Sequence, residues 1–99
     1  MSSATPEKPS AGTVTVRYWA SARAAAGVDA DSVEVGSGTT LAELFEQVRR
    51  LHPDRPKLPG VLAVCSALVG DRPVGATDPA DVRLSPGDVV ELLPPFAGG

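Results

Sequence analysis

Three places in this sequence hold residue types that can do chemistry: the single cysteine Cys65, the single histidine His52, and the chain end Pro94-Pro95-Phe96-Ala97-Gly98-Gly99. Cys65 lies inside the apolar run Val61-Leu62-Ala63-Val64-Cys65, where a thiol packs like a small hydrophobe. A nucleophilic cysteine needs a basic neighbour or a helix N-terminus to lower its pKa, and its sequence neighbours supply neither. With one cysteine, no intramolecular disulfide can form. His52 has no Cys, His or acidic cluster around it at ligand spacing, so metal binding and Ser-His-Asp chemistry both lack parts. The chain end remains.

A Gly-Gly end arises by chance in about one chain in two hundred. Its use is physical. Glycine has no Cβ, so two of them can thread a narrow channel and let an enzyme grip the backbone closely. A terminal carboxylate is a poor electrophile until it is adenylated. AMP then becomes a leaving group that a sulfur nucleophile can displace, giving a thiocarboxylate. A side chain on either of the last two residues would obstruct that passage. The prolines before them stiffen the exit and cannot donate to a sheet.

Composition limits the alternatives. Ninety-nine residues make one domain, enough for a single sheet with one or two helices upon it. The net charge of −3 lacks the basic stripe of a nucleic-acid binder. The adjacent pair Arg49-Arg50 falls at a helix end, where the dipole favours cations anyway. No apolar run approaches the ~18 residues of a membrane span, and without an apolar h-region or basic start near Met1 no secretory leader is expected. The expected location is the cytoplasm.

The positioning elements follow from periodicity. Residues 1–12 are Ser-, Pro- and Ala-rich without period, and are expected to form a disordered tail. Thr13 to Trp19 alternates with period two and is β-branched and aromatic, so it is a strand. Val14, Val16 and Tyr18 share one face, while Thr13, Thr15, Arg17 and Trp19 share the face turned to water. Trp19 is therefore a large apolar group on the wet side. Ala20 to Ala26 reads as a short helix capped by Ser21 and ended by Gly27. Ser32 to Val35 is a second strand.

Thr40 and Glu43 form a T-x-x-E capping box, and Leu41, Leu44, Phe45, Val48 and Leu51 make one apolar helical stripe stopped by Pro53. His52 to Gly60 is expected to be a crossover loop. Val61 to Val69 is expected to form two short strands or one bent strand. Residues 71–81 are turn-rich, Val82-Arg83-Leu84 is expected to pair briefly, and Ser85-Pro86-Gly87-Asp88 is a turn. Val89 to Leu93 is the last strand, with Val90 and Leu92 inward and Glu91 and Leu93 outward.

One main helix plus a short one across a mixed sheet is the economical packing, an α+β roll. The ordered domain spans residues 13–93, followed by a flexible tail over 94–99. In such rolls the first and last strands are commonly central neighbours. That would join Trp19 and Leu93 into one exposed apolar patch beside the tail, and such patches mark partner surfaces.

These features resemble the MoaD/ThiS family of sulfur carriers, with the MoaD branch the nearer. The resemblance covers residues 13–99. It is carried by Val16-Arg17-Tyr18-Trp19-Ala20, the helix start Thr40-Leu41-Ala42-Glu43-Leu44, the run Ala63-Val64-Cys65-Ser66-Ala67-Leu68-Val69, and most specifically Ser85-Pro86-Gly87-Asp88 through Gly98-Gly99. The resemblance implies the β-grasp fold of ubiquitin. It implies adenylation of Gly99 by an ATP-dependent, ubiquitin-activating-type adenylyltransferase (MoeB-like), then thiocarboxylation by a sulfur donor enzyme, with Gly98 threading the partner's channel. In the molybdopterin branch the tail enters a MoaE-like catalytic subunit and gives sulfur to a cyclic pyranopterin. Partner contact is implied for Trp19, Leu68, Leu93, Pro94, Pro95, Phe96 and Ala97. No bound cofactor and no independent activity are expected; the ATP belongs to the activating enzyme. Two departures from the family pattern are Cys65, where Asn is frequent, and a longer 70–84 segment. Carriers for thiamin, cysteine or another metabolite, a protein modifier, and an interaction domain with an inert tail are the alternatives.

Overall fold

The computed structural model describes residues 12–36 and 38–95. Residues 1–11 and the chain end 96–99 lie outside the described residues, and with them most of the expected disordered tail and the Gly-Gly terminus. Gly12, assigned to that tail, instead opens the first strand and pairs with Val35.

Strand β1 (Gly12–Tyr18) buries Val14, Val16 and Tyr18 and leaves Thr13 and Arg17 exposed, as its alternation requires. Helix α1 (Ala20–Ala26) follows at once. Its N-cap is Trp19, which makes no side-chain cap, so the expected cap at Ser21 is corrected. The chain turns a residue earlier, through Ala20 in the left-handed region at φ 50°. Gly27 ends the helix at φ 82°, donating its N–H to the Arg23 carbonyl. A Cβ on Gly27 would strike the Arg55 guanidinium.

Strand β2 (Ala30–Val35) is two residues longer than expected and pairs antiparallel with β1. Helix α2 (Leu41–Leu51) has the full capping box: Glu43 N–H donates to Thr40 Oγ1 at 3.2 Å, and Thr40 N–H to Glu43 Oε1 at 2.9 Å. Leu41, Leu44 and Val48 are buried, Phe45 is partly so, and Leu51 at the end of the stripe lies half exposed.

The main correction lies between α2 and the third strand. Leu58–Val64, divided in the sequence reading between a loop and a strand, is a helix, α3. Pro59 sits in its first turn, where its missing N–H costs nothing, and Leu58 and Leu62, four apart, reach the core together. Helix α3 packs against α1. The strand expected in this region is confined to β3 (Ser66–Val69), followed by the two-residue β4 (Arg72–Pro73). A 3-10 turn (Pro79–Asp81) and a single bridge between Arg83 and Thr40 lead to the last strand, β5 (Val89–Leu93).

The five strands run in the order β2-β1-β5-β3-β4, with β1 and β5 parallel at the centre. The helices cover one face, and the core comprises Val14, Val16, Tyr18, Val90 and Leu92 from the sheet against Leu41, Leu44, Val48, Leu58 and Leu62. This is the α+β, β-grasp arrangement that the sequence led one to expect, with one helix more. Among the described residues, no helix is long and apolar enough to cross a membrane.

Candidate functional site

The site is built on the sheet face that the helices leave bare. Because Val90 and Leu92 point into the core, Val89, Glu91 and Leu93 must point outward. Residues directly opposite one another share a face, so the register extends the argument. Arg17, Glu91, Leu68 and Pro73 form one row across β1, β5, β3 and β4. The next row holds Leu93 opposite Ser66. Trp19, one residue beyond the Tyr18–Leu92 pair, stands level with Leu93, and its N–H donates to the Leu92 carbonyl at 3.2 Å.

The structure thus brings Trp19, Leu93 and Leu68 onto one surface. Trp19 is 40% exposed, while Leu68 and Leu93 are half-buried. The chain leaves the sheet here through Pro94, half-buried, and Pro95, exposed and in no strand. Phe96, Ala97, Gly98 and Gly99 lie outside the described residues.

The sequence reading placed Arg17 and Glu91 on this face without joining them to the site. Glu91 Oε1 accepts the Trp19 indole N–H at 2.9 Å, and the Arg17 guanidinium lies over the indole ring, 5.0 Å from its centroid. Strand parity was the available signal; the parallel register that sets the two charges side by side across the strands was not legible.

A second cluster lies on the opposite side of the sheet. Tyr18 donates its hydroxyl to Asp31 Oδ2 at 2.8 Å, and His52 Nε2 lies 2.6 Å from the same oxygen. His52 is the C-cap of α2, and its ring stands edge-on to Tyr18. Burial first, then the bond to Asp31 and its charge, push the Tyr18 pKa far up, so the phenol is held neutral as a donor. This cluster ties β1 and β2 to the end of α2. Sequence separation of 13 and 21 residues hid it.

Cys65 is the C-cap of α3 and packs half-buried against the core. Burial raises its pKa, which keeps the thiol protonated and a weak nucleophile at neutral pH. Among the described residues, no group of three or more His, Cys, Asp or Glu could hold a metal ion.

Residues 16–99 match the family model described as the ThiS family. The chain is 31% identical over 86 residues to the molybdopterin synthase sulfur carrier subunit of Chlamydomonas reinhardtii, covering 87% of this chain and 98% of that one. It belongs to the ThiS/MoaD family of β-grasp sulfur carriers. Solved structures agree with this. SAMP1 from Haloferax volcanii superposes with a TM-score of 0.73 at 19% identity, over 89% of this chain and 100% of that one, a likeness of fold. A proposed molybdopterin converting factor subunit 1 from Pyrococcus furiosus gives 0.68 at 28% identity, over 85% and 98%. The complex of subunits 1 and 2 of the molybdopterin-converting factor from Helicobacter pylori gives 0.58 at 26% identity, over 88% and 99%. In this ThiS/MoaD chain, the bare sheet face ends at Pro94, where the chain leaves β5.

Proposed function

We propose that this ThiS/MoaD chain carries sulfur on the carboxyl group of Gly99, and that it serves molybdopterin synthesis as the small subunit of a two-protein sulfurtransferase. The single observation that supports this most is the match to the family through residue 99, on a chain ending Pro-Pro-Phe-Ala-Gly-Gly. The molybdopterin assignment leans on the Chlamydomonas relative, and the partner on the two-subunit Helicobacter complex.

The chemistry runs in two balanced steps. The Gly99 carboxylate attacks the α-phosphate of ATP on a MoeB-like adenylyltransferase, forming an acyl-adenylate and releasing pyrophosphate. Sulfide, delivered by a sulfur donor enzyme, then attacks the acyl carbon; the carbon–oxygen bond to AMP breaks, and the thiocarboxylate remains. Gly98 and Gly99 pass the partner's channel because neither carries a Cβ. Pro94 and Pro95 aim the tail, and Phe96 and Ala97 follow it into the partner. Trp19, Leu68 and Leu93 dock, in turn, on the activating enzyme and on a MoaE-like subunit, where the sulfur passes to a pyranopterin. On this reading the chain contributes no independent activity and works in the cytoplasm.

The test is sulfur transfer by the full chain and by a variant lacking Gly99. The variant is expected to fold normally and to transfer nothing. Undiminished transfer would overturn the proposal. Lysine conjugates surviving on a denaturing gel would favour a protein modifier instead.

A further inference from the structure

The Trp19 side chain is unusual for an exposed aromatic because both its backbone and its ring are tied. Its N–H donates to the Leu92 carbonyl, and its own carbonyl accepts from Ala22 N–H at 2.9 Å. The ring's N–H is fixed on Glu91, and its face is covered by Arg17. Glu91 and Arg17 stand directly opposite each other on β5 and β1, yet no ion pair joins them; among the described residues arginine pairs with a carboxylate only at Arg23–Asp29 and Arg50–Glu46. Each charge is turned to the indole instead. A carboxylate beside Leu68 and Leu93 is a liability on a face that loses water when it docks. It is tolerable where it has a definite donor, and the indole N–H is one.

We infer that Glu91 and Arg17 are positioning residues that hold the Trp19 indole in the orientation in which the MoeB-like adenylyltransferase receives it. The inference rests on the docking reading above. A tryptophan on a bare sheet surface samples several rotamers, and docking must select one. Ordering it beforehand removes that cost from binding, which corresponds to roughly two- to tenfold in affinity for one side chain.

The experiment titrates the full chain and its variants onto the MoeB-like adenylyltransferase of the same organism, and records the emission and anisotropy of each free chain. Trp19 is the sole tryptophan, so its emission reports this site alone. Glu91→Ala is expected to lower the anisotropy of the free indole and weaken binding roughly two- to tenfold. Glu91→Gln keeps an acceptor oxygen without the charge, and is expected to restore binding to within about twofold, as an order-of-magnitude margin. Arg17→Met is expected to lower the anisotropy and weaken binding by less. Thermal melting of all three should stay near the parent's, since both residues face away from the core. If Glu91→Ala binds like the parent, or if Glu91→Gln is as weak as Glu91→Ala, the positioning role is wrong for Glu91; parent-like binding by Arg17→Met removes it for Arg17. Trp19→Ala separates this from the docking reading. If it binds like the parent, the docking surface itself is wrong. If it weakens binding while Glu91→Ala does not, only the positioning inference falls.

Discussion

Tyr18 and Trp19 are consecutive aromatic residues, and each donates its polar hydrogen to a carboxylate. Tyr18 is 3% exposed and Trp19 is 40% exposed. The pleat alone puts them on opposite sides of the sheet. On the core side, the Tyr18–Asp31 bond sits where water is scarce, and it joins β1 to β2 and, through His52, to the end of α2. On the bare side, the Trp19–Glu91 bond is open to solvent, where its contribution to folding is small. The same chemistry therefore stabilises the fold on one face and, on the docking reading proposed above, orders a recognition group on the other.

Four substitutions break or sharpen that contrast. Leu92→Ala, beneath Trp19 on the core side, should be the most damaging, at about 2–5 kcal/mol of stability, read as a large fall in melting temperature. Trp19→Ala should reverse the pattern. Binding to the activating enzyme should weaken by about 2 kcal/mol or more, near thirtyfold, with stability close to the parent's.

Tyr18→Phe should cost about 1–3 kcal/mol, because it leaves Asp31 with one partner fewer. It also tests the pH behaviour. Folding raises the Tyr18 pKa, so this contribution is complete below the ordinary tyrosine value of about 10 and declines as pH rises above it. Tyr18 is the sole tyrosine. Its ultraviolet difference absorbance should therefore show no phenolate until the alkaline transition unfolds the chain, and Tyr18→Phe should flatten the alkaline loss of stability.

The smallest effect expected is a gain. Ala20 occupies the left-handed region at φ 50° to turn the chain directly after the aromatic pair. Ala20→Gly relieves a left-handed cost of about 1–2 kcal/mol against about 0.5–1 kcal/mol of added chain entropy, and should stabilise by roughly 0.5–1 kcal/mol, seen as a melting temperature raised by a few degrees.

Much of this was legible in the sequence, because period-two alternation in β1 and β5 fixes the side of every residue once one side is known. Trp19 and Leu93 fell on the bare face by that rule, and the T-x-x-E box fixed the start of α2. Helix α3 was not legible. Its run Val61 to Val64 is uniformly apolar, which fits a buried strand as well as a helix, and Pro59 within the first turn resembles a loop signal. The contacts that define both clusters were hidden for another reason. Asp31 meets His52, and Glu91 meets Trp19, 72 residues away, only through strand register and helix packing, which local pattern does not encode. The roles expected of Gly98 and Gly99 rest on residue type and on the family resemblance, and their place lies outside the described residues.

The central claim is that the Gly99 carboxyl group accepts sulfur. The most direct measurement is the intact mass of the full chain after incubation with ATP, the MoeB-like enzyme of the same organism and sulfide. The account predicts a gain matching one oxygen replaced by sulfur, localised to Gly99 and absent without ATP. An unchanged mass, on a folded chain with its terminus intact and an enzyme shown to adenylate its own carrier, would contradict it.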